Sequence, residues 1–426
     1  MGTKGGGPEG LGGGEDGAAP RAARTRLDRS LLALPFYEPR HAALADRVTR
    51  WCDERADLFQ SPADDDPDRL GRGLVRALGD GGWYSFLDPG TPSTAGDLRS
   101  LCLVREALAY ADDLADYAFS IQALAATPLL GHGSAEQQRR YLPGMASGDL
   151  VGSFAVSEEE AGSDVAAVAL RADRCRTGYV LNGGKAWIAH GGIADVHCVI
   201  ARTGEGPGAL GLTAFLVPAD APGVRVRERI TTIAPRSLAH LAFEDCHVAA
   251  DSVLGRPGRG FVIAMDVLDR FRMTVGAAAV GFARRAADAA LDRARSRPMN
   301  GGRLFDLQLV KATLADIDVK LTTAALLVAR ASWEADRGNR RFATYSSMAK
   351  LYATETAQEI VDAALQMFGA AGLVRDSVPE RLYRQIRSLR VYEGASEIQK
   401  MVIAGALPHG RADQRQADAS SRAAPT

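Results

Sequence analysis

The chain has 426 residues, 51 basic and 52 acidic side chains and five cysteines. A length of this order supports two or three regions with sizeable cores, and a net charge of −1 leaves no electrostatic footprint for nucleic acid or an anionic membrane surface. Cys52, Cys102, Cys175, Cys198 and Cys246 are widely spaced and contain no Cys-x-x-Cys pair, which reads as a reducing compartment without a disulfide framework or structural zinc.

Residues 1–26 are dominated by Gly and Pro and hold too little apolar surface to offset ordering entropy, so they read as disordered. They also lack an apolar run long enough for a signal peptide, and nothing downstream approaches a membrane span; the expectation is a cytoplasmic protein with no membrane partner. From 27 to 149 the pattern is helical: in "DLRSLCLVREALAYADDLADYAFSIQALAATPLL" apolar residues such as Leu101, Val104 and Leu108 recur at steps of three and four. "GSAEQQRRYLPGM" offers Ser134 as an N-cap with Gln137 at the capping-box spacing.

After Asp149 the period drops to two and turn residues become frequent. In "TGYVLNGGKAWIAHGG" the Asn182-Gly183 pair lies between apolar runs, which predicts a hairpin whose turn needs positive φ at both centres. "VHCVIART", "LTAFLVPAD", "VRVRERI" and "LAHLAFEDCHV" are further strands of a small β domain over residues 150–258. From 259 to 408 long helices return: Leu307, Val310, Leu314, Ile317 and Leu321 form one stripe. A second long helix stops at Gly369 and Gly372, and "ASEIQKMVIAGAL" completes a four-helix bundle. Residues 409–426 again read as disordered. The fold class is therefore α+β, mostly α, with an N-terminal helical domain, a central small β-barrel and a C-terminal bundle.

Three stretches could carry chemistry. "GSFAVSEEEAGSDVAAV" (152–168) puts a hydroxyl, an acidic turn and Gly-Ser-Asp in one irregular segment after a strand; it is a ligand loop or a capped polar crossover. In "KAWIAHG", Trp187 either leaves the sheet or packs in its core. In "YEGASEIQK", Glu393 beside Gly394 is either a positioned base or an acidic residue favouring the next helix start. The histidines show no His-Glu-x-x-His, and strand alternation points His197 and Cys198 apart, so no metal is expected. "GRPGRGF" lacks the Gly-Lys-Ser/Thr ending of a phosphate loop and reads as a turn into the bundle.

Taken in order, "FAVSEEEAGSD", "YVLNGGKAWIAHG", "LQMFGAAG" and "YEGASEIQK" resemble the successive signatures of the acyl-CoA dehydrogenase flavoproteins, and the resemblance spans about residues 30–407. It implies FAD as cofactor, with Phe154, Val156 and Ser157 against the flavin ring and Trp187, Ile188 and Ala189 covering its other part. It also implies Arg297 and Gln308 on the FAD pyrophosphate of a neighbouring subunit, and Gln366 and Gly369 on the adenosine half. Glu393 matches the base that takes the α-proton of an acyl thioester, while Ser163, Asp269, Arg272 and Gly394 match substrate-lining positions. The thioester could be carried by coenzyme A or by a carrier protein; the implied acceptor is an electron-transfer flavoprotein, and the implied assembly a homodimer or tetramer. Departures include Ser157 for a frequent Thr, Glu159 for Pro, and Ala189 for a Thr whose hydroxyl reaches the flavin. A flavin monooxygenase on the same fold, which needs no base, and a non-catalytic binding paralogue are the alternatives.

Overall fold

A computed structural model describes residues 27–59, 66–87 and 97–407. The expected disordered segments 1–26 and 409–426 lie outside the described residues. Six helices come first: α1 (Arg29–Leu32), α2 (Pro39–Glu54), α3 (Pro67–Asp80), α4 (Leu98–Ala111), α5 (Asp113–His132) and α6 (Ala135–Ser147). Helices α4 and α5 are apolar nearly all round and are accordingly buried on most faces. Ser134 and Gln137 form the expected capping box at the start of α6, and Gly148, at φ 75°, ends that helix in the left-handed region.

The strands follow as β1 (Gly152–Ala155), β2 (Arg171–Arg174), β3 (Gly178–Ala189), β4 (Val196–Arg202), β5 (Leu212–Pro218), β6 (Val224–Arg229), β7 (Leu238–Ala249) and β8 (Val253–Leu254). They form an eight-stranded sheet in the order β6-β7-β3-β2-β4-β5-β8, with β1 lying parallel on β4. Strand β4 is buried on both faces, and its alternation separates two cores. Val199 and Ala201 pack inside the sheet with Phe215, Leu241 and Phe243, while Cys198 and Ile200 turn toward the helices. His197, also buried, pairs through Nδ1 with Ser153 Oγ at 2.6 Å.

The hairpin expected at Asn182-Gly183 is not there. Strand β3 runs through the pair without turning, and its register with β7 shifts between Leu181 and Gly183. The backbone freedom of Gly183, at φ 140°, is spent on a bulge rather than a turn. Asn182 instead brackets Asp245 on β7, donating from Nδ2 to its carboxylate at 3.2 Å and accepting its backbone N–H at 2.8 Å.

Helix α7 (Gly260–Ser296) is followed by a two-strand clip, β9 (Pro298–Met299) and β10 (Gly302–Arg303), then α8 (Gln308–Asp336), α9 (Phe342–Phe368), α10 (Val378–Ile386) and α11 (Ser396–Gly405). Helices α7, α8 and α9 pack on one another, and the short α10 and α11 both pack on α9. The stripe on α8 is half-buried at Leu307, Val310 and Leu314 and fully buried at Ile317 and Leu321. Helix α9 ends at Gly369, φ 62°, as the sequence suggests.

Helix α7 joins the two helical regions because it is small-sided where α4 crosses it. A Cβ on Gly281 would stand 2.3 Å from the carbonyl oxygen of Glu106, whereas one on Gly131, near the end of α5, would meet nothing within 4 Å. Gly281→Ala should therefore lower stability by about 1–3 kcal/mol through overpacking, and Gly131→Ala should be neutral or stabilising by up to ~1 kcal/mol. Thermal unfolding of the two variants checks this; equal midpoints would mean that the α4–α7 contact is looser than described.

Candidate active site

A cavity of about 260 Å³ opens where α5, the loop after β1, β3, the β6–β7 loop, α7 and the turn before α11 converge. Its walls are mostly apolar, including Ile121, Leu124, Phe154, Val165 and Leu268. Polar groups enter at Ser157, Arg236, Ser388 and Glu393. An apolar recess with a few convergent polar groups is the usual form of a small-molecule site.

One wall is built by a buried lysine. Beyond Ala155 the chain leaves β1 as Val156-Ser157, and Lys185, 2% exposed, donates to Val156 O at 2.8 Å and to Glu158 Oε1 at 2.7 Å. Glu158 in turn accepts the backbone N–H groups of Ala169 (2.8 Å) and Leu170 (2.9 Å), and Ser157 O accepts the N–H of Ala186 at 2.9 Å. Burial lowers the Lys185 ammonium to about 8, opposed by the Glu158 carboxylate. Just past this lysine, β3 loses register with β7 between Lys185 and Ile188. The irregularity puts Trp187 at φ 60° and throws its indole outward, 55% exposed at the cavity lining, edge-on to His240 with centroids 4.7 Å apart. The exposed reading of Trp187 is the one the structure adopts.

Another part of the lining is the turn before α11. Glu393 adopts φ 53° and Gly394 φ 90°, two successive left-handed residues. For a glutamate this backbone is uncommon and has to be held by its surroundings. Gln399 Nε2 donates to Gly394 O (2.8 Å) and Glu393 O (3.3 Å), and Lys350 Nζ donates to Gly394 O at 2.8 Å. The Oε2 atom of Glu393 is buried with no hydrogen-bond partner. Desolvation raises its carboxyl above the ordinary range, against the pull of Arg105, Lys350 and Arg272.

Around this carboxylate lies a shell of buried ion pairs. Arg105 on α4 makes two 2.8 Å bonds to Asp116 on α5 and a 2.9 Å bond to Thr274 on α7. Arg236, 6% exposed, pairs with Asp113, donates to Ser388 Oγ at 2.6 Å, and lies over the rings of Tyr117 (5.3 Å) and Tyr392 (5.7 Å). Tyr117 donates its hydroxyl proton to Ser237 O at 2.9 Å.

Of the residues singled out from sequence, Phe154, Val156, Ser157, Trp187, Ile188, Ala189, Glu393 and Gly394 all line this one cavity. Asp269 and Arg272 follow the lining residue Leu268 on α7 and bond each other at 2.5 Å. Ser163 is exposed, next to the lining residue Gly162. Arg297, Gln308, Gln366 and Gly369 are exposed and gather where α7 and α9 end and α8 begins. At a rise of about 1.5 Å per residue, Arg297 is some 37 Å along the chain axis from Arg272, so this group does not reach the same cavity. Sequence reading passed over Arg105, Asp113, Asp116, Arg236, Lys350 and Gln399. The available signal was charge inside apolar helical runs, as in "LCLVREALAYADDLADYAF".

Three family models match the chain in order: acyl-CoA dehydrogenase N-terminal domain at residues 38–149, middle domain at 153–246 and C-terminal domain at 258–407. The chain is 36% identical over 313 residues to the probable acyl-CoA dehydrogenase FadE25 of Mycobacterium tuberculosis, covering 73% of this chain and 80% of that one. A glutaryl-CoA dehydrogenase from Mycobacterium smegmatis, solved in complex with FADH2, superposes with a TM-score of 0.79 at 25% identity, over 88% of this chain and 96% of that one. The prolyl acyl carrier protein oxidase AnaB superposes with a TM-score of 0.80 at 26% identity, over 87% and 99% of the two chains.

Removing one member of a buried ion pair leaves the other charge unpaired, at a cost of about 3–5 kcal/mol, while replacing both by apolar groups is far less costly. Arg105→Met should thus depress the thermal midpoint strongly, and Arg105→Met with Asp116→Leu should recover more than half of the loss. A double variant no more stable than the single one would show that the pair is not what holds α4 to α5.

Proposed function

The chain belongs to the acyl-CoA dehydrogenase family of FAD-dependent oxidoreductases, and from that premise we propose that it oxidises the α,β-bond of an acyl thioester to a trans-2-enoyl thioester, with Glu393 as the base. The observation that carries this reading is the Glu393 carboxylate, with one oxygen buried and unpartnered in a largely apolar cavity. A carboxylate oxygen buried without a hydrogen-bond donor is poorly suited to a structural role and well suited to accept a proton. Its raised proton affinity moves it toward the operating pH, where a general base works best.

The residues present fit the cofactor. An apolar recess with an indole held exposed at its lining offers a planar surface for a ring system, and the Val156-Ser157 turn and the Trp187-to-Ala189 segment would hold it there. When bound, FAD supplies the acceptor for the β-hydride. The chain itself would align the thioester and take the α-proton on Glu393. Ser163, Asp269, Arg272 and Gly394 are proposed to line the path of the thioester. The backbone amide of Glu393 is proposed to donate to its carbonyl oxygen as negative charge develops there. Apolar walls at Ile121, Leu124 and Leu268 exclude water from the reacting carbons.

Arg297, Gln308, Gln366 and Gly369, too far from this cavity to serve it, are proposed to bind the distal half of FAD in a neighbouring subunit, which makes the working unit a homodimer or tetramer. We place it in the cytoplasm with an electron-transfer flavoprotein as acceptor. Coenzyme A is the first choice of carrier, and the likeness to a carrier-protein oxidase supports a carrier-protein thioester as the second. A monooxygenase would have no use for the unpaired Glu393.

Glu393→Gln should retain FAD yet lose anaerobic bleaching of the flavin by acyl-CoA, with a rate lower by about 10²–10⁴-fold, the usual contribution of a positioned base. The visible spectrum, followed during titration with straight, branched and cyclic acyl-CoAs, decides this. Bleaching that survives in the variant removes Glu393 as the base.

A further inference from the structure

Lys350 stands out among the buried charges, because its position is neither in the cavity nor in an ordinary ion pair. It lies on α9 with 0% exposure, and its Nζ donates to one acceptor, the carbonyl oxygen of Gly394, at 2.8 Å. An ammonium has three protons to donate and is costly to bury with so few partners. The acidic residue lining the cavity is Glu393, one residue before the carbonyl that Lys350 holds.

We propose that Lys350 is the positioning residue for the base: from the interior of α9 it pins the left-handed Glu393-Gly394 turn through the Gly394 carbonyl and supplies the positive charge that the Glu393 carboxylate faces. This inference rests on Glu393 being the base. The geometry gives the lysine two tasks. The first is mechanical. Gly394 O receives both Lys350 and Gln399, so the peptide after Gly394 is fixed from two helices, α9 and α11. A Cβ at Gly394 would stand 2.5 Å from Gln399 Nε2, so only glycine admits this double clamp without displacing Gln399.

The second task is electrostatic. Charged groups acting on Glu393 come from every packed element: Arg105 on α4, Asp116 on α5, Arg272 on α7 and Lys350 on α9. Arg105 is neutralised by Asp116 in a two-bond pair, and Arg272 is bonded to Asp269. Lys350 itself faces Glu393, Glu355 on α9, Glu397 on α11 and Arg272. Glu355 is engaged by Arg390 at 2.6 Å and by Ser396. That leaves Lys350 as the buried cation bonded to no carboxylate among the described residues, its ammonium fixed on the carbonyl one residue beyond the base. Burial lowers its ammonium to about 8, and Glu393 opposes that fall, as expected of a mutually dependent pair.

The test uses the FAD-loaded enzyme and the rate of anaerobic flavin bleaching by an accepted acyl-CoA, measured from pH 5.5 to 9.5. In wild type the rate rises with pH as Glu393 loses its proton. Lys350→Met removes the cation that favours the carboxylate, so this acidic limb should move about one pH unit to the alkaline side. Its FAD content should be retained, and the acyl-CoA concentration giving half-maximal rate should stay within about twofold, since no substrate-lining side chain is changed; the alkaline plateau should fall as the turn loses one of its two clamps. Lys350→Arg should return the limb most of the way, and Lys350→Gln serves in place of the Met variant if that chain does not retain FAD. A limb that stays at the wild-type position, whether or not the plateau falls, overturns the proposal. Glu393→Gln, run alongside, separates the two readings: bleaching that persists in it defeats the base assignment, whereas its loss together with an unmoved limb in Lys350→Met defeats only the role of Lys350.

Discussion

A carboxylate oxygen held out of water without a hydrogen-bond donor is the constraint around which this chain is organised. Left to itself such a group takes up a proton or turns toward solvent, because desolvation penalises its charged form. Glu393 is held in place by a backbone fixed in a left-handed turn, and cations on α4, α7 and α9 oppose the desolvation that raises its proton affinity. The surrounding acids are each committed elsewhere, Asp116 to Arg105 and Asp113 to Arg236. The helical cores from both ends of the chain meet here because the ion pairs around this carboxylate also tie α5 to α4 and to the β6–β7 loop.

The sheet contributes the complementary part of the cavity. Strands β1 and β3 are ordinary in their apolar alternation, but each is interrupted where it reaches the cavity. Lys185 crosses from β3 to seize Val156 O and Glu158, which stops β1 from continuing and sets the Val156-Ser157 turn. The irregularity after Lys185 then exposes Trp187. Buried lysines thus fix two parts of the lining, Lys185 the Val156-Ser157 turn and Lys350 the Glu393-Gly394 turn. In both cases the ammonium binds a backbone carbonyl, and Lys185 also pairs with Glu158.

Much of this is legible in the sequence where the signal is contiguous. The helical, strand and helical periods appear in order, and Phe154 to Ser157, Trp187 to Ala189, and Glu393-Gly394 each sit in one short motif that reaches the cavity intact. Asn182-Gly183 misleads because positive φ at a glycine serves a bulge as well as a turn, and only the partner strand, through Asp245, decides which. The charge shell is hidden for a different reason. Arg236 finds Asp113 across 123 positions, and Lys350 finds Gly394 across 44; no local pattern links residues so far apart. A lone Arg or Lys in an apolar helix reads as a flaw in the stripe until its partner is placed.

If Glu393 is the base, the α-carbon proton leaves in the same step that reduces the flavin. The most direct measurement is the rate of anaerobic flavin bleaching by an acyl-CoA deuterated at C2, set against one deuterated at C3 and against the unlabelled thioester. Abstraction by Glu393 coupled to hydride loss predicts that each label slows bleaching several-fold. A rate insensitive to deuterium at C2, with the C3 effect intact, would contradict a base acting at the α-carbon in that step and with it the role assigned to the buried carboxylate.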